Sequence, residues 1–516
     1  MTHAAALTLA AAVAAGALMT AHARQQPFQV EDATIAQIQA ALKAKRITCR
    51  GLVEHYLRRI EAYDRQGPAL TAIVVVNPNA VKDAEALDAR MAKGDPAGPL
   101  HCVPTIVKDN FETIGLQSAN GSKSLEGFVS DKDAFQVARI KAAGAIVLAK
   151  SNMAEFAFSP QETVNSILGE TRNPYDPTRV PAGSSGGTAA AVAASFGAVG
   201  LGSDTGNSIR GPSSHTALVG IRSTMGLTSR AGVIPLSYLA DVAGPMARTV
   251  EDAVAVFQVI VGEDPDDPMT ARARGRAIPD YAAALVRDGL KGARLGILRD
   301  AYERQSADEE VLKVFMAAVN DLTAAGAVIV DPAVVDRPQR ERGRGTCRGF
   351  KYDIDDYLAA RGQKAPVRTL EAIVESGRFH PSIERRLRGA VASKPEGPDS
   401  DACKAEMAYR EAFGAAVTKT MDALKLDAFV YPTWSNPPRE IGNGRAPTGD
   451  NSQVYSPSSG FPAINVPMGY TRNDMLPAGL TFFGRAWDEA TLIRLAYAYE
   501  QATKHRRPPP TTPPIR

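Results

Sequence analysis

Histidine, cysteine and tryptophan are scarce in this chain of 516 residues, which carries seven, four and two of them. No HExxH motif, histidine pair or carboxylate cluster marks a metal centre, so no metal and no other cofactor is expected. The cysteines, Cys49, Cys102, Cys347 and Cys403, form neither a CxxC pair nor a zinc spacing. Basic runs long enough to follow a phosphate backbone are missing too, and the net charge is only +3, so nucleic acid is not expected as a partner. Three familiar signatures fail as well. "GLGSDTG" has Thr205 in place of the last glycine of GxGxxG, "GSSGGT" lacks the GK[ST] of a P-loop, and "GNSIR" puts Arg210 where the GxSxG elbow needs glycine.

Long apolar runs are limited. Ala4 to Met19 is apolar and Ala-rich but shorter than the roughly 20 residues of a membrane span. Ala21-His22-Ala23 follows with the small-x-small pattern of a signal-peptidase site. Residues 1–23 are therefore expected to be a signal peptide cleaved after Ala23, and the protein to be secreted or periplasmic, with no stable membrane insertion. In an oxidising compartment the four cysteines can form two disulfides, with three connectivities open to the sequence, and a buried free thiol is the alternative for any one of them.

What is present describes a globular enzyme-sized chain, 44% hydrophobic and 22% charged, with ample material for a core. "IAQIQAALKAKRITCRGLVEHYLRRIEAYD" has helical spacing in two segments, the second capped by Thr48. "ALTAIVVVNP" and "CVPTIVKDN" read as strands, "AVKDAEALDARMAKGD" as a helix between them, and "FQVARIKAAGAIVLAKSN" as helix then strand. This alternation predicts an α/β fold: a large mixed, mostly parallel central sheet covered by helices on both faces. The reading gives one domain over residues 24–507, a charged helical excursion at about 337–402, and a Pro-rich disordered tail at 508–516.

One stretch concentrates serines at turns: "PAGSSGGTAAAVAASFGAVGLGSDTGNSIRGP", from Pro181 to Pro212. Close packing of helix on strand accounts for its alanines and glycines, but not for Ser184, Ser185, Asp204, Thr205, Asn207 and Ser208 gathering at the two turns. A serine nucleophile needs a base, and His215 is the one histidine near in sequence; a lone histidine there is more often a packed residue. Lys108 ends the apolar strand "VPTIV", where burial lowers an ammonium pKa and makes a general base. Spacing alone leaves it equally a structural partner of Asp109 or Asp204.

The ordered set "LHCVPTIVKDN", "KSNMAEFAFS", "PAGSSGG", "GSDTGNSIRGP", "ALVGIRSTMGL", "DVAGPMART", "LDAFVYPT" and "SGFPAINVPMG" resembles the amidase signature family over about residues 33–507. The resemblance implies an amidase that hydrolyses a carboxylic amide C–N bond to carboxylate and amine or ammonia through an acyl-enzyme. It places the nucleophile on Ser208, the bridging serine and proton relay on Ser184 after a cis Gly183–Ser184 bond, and the general base on Lys108, a Ser-Ser-Lys triad. The amides of Thr205, Gly206, Asn207 and Ser208 become the oxyanion hole, with Ser185, Asp204 and Arg210 as supports. Carbamate or ester cleavage, or a glutaminase role inside an amidotransferase complex, are the alternatives within the family.

Three positions depart from the family pattern: Ala182 and Asn207 stand where it usually has glycine, and so does Cys102 near the base strand. Asn tolerates left-handed geometry next best, so the loop survives. Phe111, Phe128, Tyr238, Trp434 and Phe461 are candidate pocket walls. The expected partner is a small-molecule amide, and the expected state a monomer or homodimer.

Overall fold

The computed structural model describes residues 28–95, 97–340 and 345–515. The signal-peptide reading at 1–23 lies outside them. Among the described residues no helix is long and apolar enough to cross a membrane.

The N-terminal helices form where the spacing put them, at Ile35–Lys43 and Cys49–Ile60, and the Thr48 hydroxyl accepts the amide of Gly51 at 3.0 Å. Behind them lies an eleven-stranded sheet. Its order is Ile73–Val76, Ile146–Ser151, Pro104–Lys108, Val199–Asp204, Val242–Ala247, Val219–Arg222, Ala463–Thr471, Leu476–Phe483, Ala428–Pro432, Arg294–Ile297 and Val328–Val330. The sheet is mixed as expected, but not mostly parallel. Four neighbouring pairs are parallel, while six are antiparallel.

The parallel pairs come from strand-helix-strand segments, whose hydrophobic rhythm is legible. The antiparallel centre was not, for physical reasons. Val242–Ala247 carries Gly244 and Pro245, residues that normally argue against a central strand. Ala463–Thr471 and Leu476–Phe483 join through a tight turn in which Arg472, Asn473 and Asp474 all have positive φ, without a glycine to announce it.

The small residues of the serine-rich stretch have the packing role expected of them. Helix Gly186–Ala193 is buried along its whole length, and a Cβ on Gly200 would lie 2.5 Å from Thr188 Cγ2. The Thr188 and Val192 side chains of the helix therefore lie directly on the strand backbone at Gly200, fixing the turns at both ends.

Helices Gly349–Arg361, Leu370–Ser376 and Glu384–Ala392 share a second apolar cluster around Ile354, Leu358, Leu370, Ile373 and Leu387. Leu125, Phe156, Phe158 and Ile234 of the body complete it. Glu112, four residues past Lys108, anchors this layer: the Tyr357 hydroxyl and Arg361 Nε each donate to its Oε1 at 2.6 Å.

The Pro-rich tail is not disordered over 508–515. Arg59, 1% exposed, donates to the carbonyls of Thr512 and Pro513 at 2.8 and 2.9 Å, and the Thr511 hydroxyl donates to Pro174 O at 2.5 Å. Proline composition predicts an unpaired backbone, and a buried guanidinium supplies the missing partners. Of the three cysteine connectivities, the structure has Cys49–Cys102 and Cys347–Cys403.

Candidate active site

Strand Pro104–Lys108 runs between two parallel neighbours, so its C-terminal end opens beside theirs. That edge is where α/β sheets place their chemistry, and it brings Lys108 level with Ser151, with Asp204 two residues farther along the neighbouring strand. Lys108 is fully buried and donates from Nζ to Ser184 Oγ at 2.8 Å and to Ser203 Oγ at 2.9 Å. Burial pulls its ammonium pKa down to about 7, against the opposing pull of the Asp241 and Asp204 carboxylates.

Ser184 follows a cis Gly183–Ser184 peptide bond at the start of the close-packed helix. The Ser185 amide donates to Ser208 O at 3.3 Å and the Ser185 hydroxyl to Ser203 O at 3.2 Å, so the two serine turns are bonded to each other. Ser208 is 4% exposed. Lys108 and Ser184 are in direct contact; no hydrogen bond joins Ser184 Oγ to Ser208 Oγ.

After Asp204 the chain turns sharply. The amides of Gly206, Asn207 and Ser208 donate to no other described residue, whereas the next two, Ile209 and Arg210, donate to Asp204 Oδ2 at 3.2 and 3.4 Å. Three successive free N–H groups beside a serine hydroxyl form a nest for an anion. Asp204 holds the turn from inside. Burial raises a carboxylate pKa, but Arg210 and Arg222, both fully buried, outweigh it and hold Asp204 at about 2. Arg222 also donates to the Asp204 carbonyl, and Thr205 Oγ1 donates to Asp241 Oδ1 at 2.5 Å.

Sequence reasoning passed over four contributors. Ser203, Asn110, Asp241 and Arg222 all lie in or beside the quoted motifs, yet only the fold shows that Ser203 Oγ accepts from both Lys108 and Asn110. His215 is no base for Ser208: it is buried, burial takes its pKa down to about 3, and its ring packs 4.8 Å from that of Trp434. Phe111 and Phe128 are core residues, and Tyr238 is flanked by the Arg230 and Arg348 guanidinium groups. Phe461 lines a cavity of about 270 Å³ with Met225, Met269 and Met407.

The departures from glycine behave differently from one another. Ala182 and Cys102 sit at φ +66° and +58°, the left-handed region, and Asn207 has no positive φ. Asn207 is wholly buried and its amide reaches none of the described polar atoms at hydrogen-bonding geometry. It fills the space beside Gly211, where an added Cβ would meet Asn207 Nδ2 and lie 2.9 Å from Trp434 Nε1.

The Amidase family profile matches residues 51–493. The crystal structure of native peptide amidase from Stenotrophomonas maltophilia superposes with a TM-score of 0.84 at 37% identity, covering 94% of this chain and 99% of that one. An amidase family protein from Bacillus anthracis superposes at 0.80 with 30% identity, covering 93% and 92%. A glutamyl-tRNA(Gln) amidotransferase subunit of a Synechococcus strain is 34% identical over 500 residues, 93% of this chain and 94% of its own. With that agreement along nearly its full length, the chain belongs to the Amidase family.

Proposed function

We propose that this protein hydrolyses a carboxylic amide through an acyl-enzyme on Ser208, with Ser184 relaying the proton and Lys108 as general base. The observation that carries the reading is the 2.8 Å contact from Lys108 Nζ to Ser184 Oγ by a lysine whose pKa is brought to about 7. Near neutrality a large share of Lys108 is the free amine, which accepts the Ser184 proton as Ser184 accepts that of Ser208. Ser208 Oγ then attacks the substrate carbonyl, and the oxyanion falls to the unpaired amides of Gly206, Asn207 and Ser208, with Thr205 beside them. The proton returns to the leaving nitrogen, amine or ammonia departs, and water repeats the sequence to release the carboxylate. Ser185, Asp204 and Arg210 hold the turns and touch no reacting atom in this scheme.

A fluorophosphonate probe tests it: wild-type protein is labelled on Ser208 and turns over amides, and Ser208→Ala loses both. Turnover retained by that variant overturns the assignment. Carbamates and esters share the acyl-enzyme route and belong in the same panel. Similarity to the amidotransferase relative supports a second reading, a glutaminase working inside a complex. Glutamine turnover combined with a stable complex in gel filtration would favour it. We further propose export: protein recovered from the periplasm starts at Arg24, and an intact Met1 on cytosolic protein refutes this.

A further inference from the structure

A cavity of about 830 Å³ is separated from the anion nest by the Gln453 side chain. Its inner wall is Leu239, Ala240 and Gln453, and the Gln453 side chain rests against Gly206. Ala240 is next to Asp241, the acceptor of the Thr205 hydroxyl. Its outer wall has two parts: Arg340, Thr346 and Cys347 of the helical excursion, and Ala405, Glu406 and Tyr409 of helix Asp401–Leu424, which face the same space. The volume exceeds what a small aliphatic amide fills, and the lining is rich in polar and charged groups.

The outer wall is weakly built. None of residues 345–348 is buried, and their backbone contacts are a two-residue parallel ladder, Thr346 to Pro395 and Cys347 to Glu396, plus the Arg348 amide to Glu396 O at 2.9 Å. So short a ladder without an apolar face opens readily. Besides the Arg348 guanidinium, which stacks on Tyr238 and pairs with Asp353, what fastens it is the Cys347–Cys403 bridge, with Cα atoms 4.5 Å apart across 56 residues of chain. Cys403 lies in the first turn of helix Asp401–Leu424, whose Phe413, Val417 and Met421 sit in the main core. The bridge thus ties the loose wall to a rigid helix and closes the whole excursion at its base.

We infer that the Cys347–Cys403 bridge determines specificity: it fixes the outer wall of this cavity, and the cavity receives the extended, polar part of an amide substrate beyond the reacting carbonyl. The inference rests on the amide-hydrolase reading above. It requires that loss of the bridge weaken extended substrates and spare short ones.

The two disulfides allow a selective test, because Cys49 and Cys102 are both fully buried whereas Cys347 is partly exposed. Dithiothreitol supplies two electrons and two protons per bridge, giving two thiols and its own cyclic disulfide. Mild treatment followed by alkylation and mass mapping identifies protein reduced at 347 and 403 alone. With a single amino-acid amide and an amidated tetrapeptide as probes, KM for the tetrapeptide rises about tenfold after reduction, and kcat/KM for the short amide changes less than about twofold. The Cys347→Ala/Cys403→Ala double variant behaves the same way. Ala405→Trp, which narrows the cavity with the bridge intact, raises KM for the tetrapeptide only. Equal loss on both probes, no loss on either, or an Ala405→Trp variant indifferent to chain length overturns the inference. If wild-type Ser208 also resists the fluorophosphonate, the amide-hydrolase reading falls with it; intact labelling confines the failure to the bridge.

Discussion

Lys108 and Lys150 stand on adjacent parallel strands but on opposite faces of the sheet, because Lys108 is in register with Ser151 and Val107 with Lys150. Both are fully buried, and burial lowers both ammonium groups, to about 7 and about 8. Their partners differ. Lys108 reaches two serine hydroxyls, whereas Lys150 reaches the Phe111 carbonyl at 2.6 Å, the Gln117 carbonyl at 3.2 Å and Ser118 Oγ at 2.9 Å. One lysine meets two serine hydroxyls; the other pins the loop that follows Lys108.

Activity is expected to rise with pH through an inflection near 7, as Lys108 becomes the free amine. Lys108→Ala removes activity, by about a factor of 100 or more, and takes the inflection with it. Lys150→Met keeps the inflection and loses about 1 to 3 kcal/mol of stability, because its acceptors are left unpaired. A pH profile of kcat/KM with urea titrations separates the two. The sign for stability follows from burial. An ammonium lowered from 10.5 to about 7 destabilises fully below pH 7, and the penalty shrinks as pH rises toward 10.5, so Lys108→Met gains most in acid.

Asp204→Asn is expected to cost about 3 to 5 kcal/mol, because it strands Arg210 and Arg222 in the interior. In the wild type the Asp204 carboxylate is lowered to about 2 from 3.8, so its contribution stands at neutral pH and is lost as pH falls from about 4 to about 2. Acid-unfolding curves of the two proteins should converge across that window. Parallel curves would refute the role of the carboxylate.

Gly211→Ala places a methyl against Asn207 and Trp434, and should displace the nest and lower kcat about tenfold with little change in folding. Asn207→Gly alone should stay within about threefold of wild type, since Asn207 needs no left-handed backbone. The double variant should recover part of the lost rate. Additive loss in the double-mutant cycle would show that Asn207 and Gly211 do not compete for the same space.

Truncation after Arg507 removes two of the four carbonyl partners of Arg59 and should lower stability by about 2 kcal/mol or more, measured by denaturant titration. Turnover at low temperature should be unchanged, because the tail lies far from Lys108 in the contacts it makes. An unaltered midpoint would mean that Arg59 is satisfied by the Glu31 carboxylate and the carbonyls of Ala194 and Ser195.

How much of this was legible depended on whether neighbouring residues carried the signal. Helix starts, the Thr48 cap and the strand ending at Lys108 came from local chemistry, and the serine turns from composition. The choice of Lys108 over a structural ion pair needed the motif order, since Asp109 and Asp204 are equally near in sequence or type. The hidden contributors are those whose partner is distant. Arg222 meets Asp204 across 18 residues, Lys108 meets Ser203 across 95, and Arg59 meets the tail across 453. The antiparallel centre of the sheet was equally hidden, because Pro245 and the glycine-free turn at Arg472 to Asp474 break the usual cues.

Arg59 gathers the tail to the corner at Ala194 and Ser195, and the Ile515 amide reaches Glu31 at 3.3 Å. The first helices and the last residues are therefore two halves of one clasp. During synthesis the clasp stays open until residues 512–515 have emerged, since Thr512 is made 453 residues after Arg59.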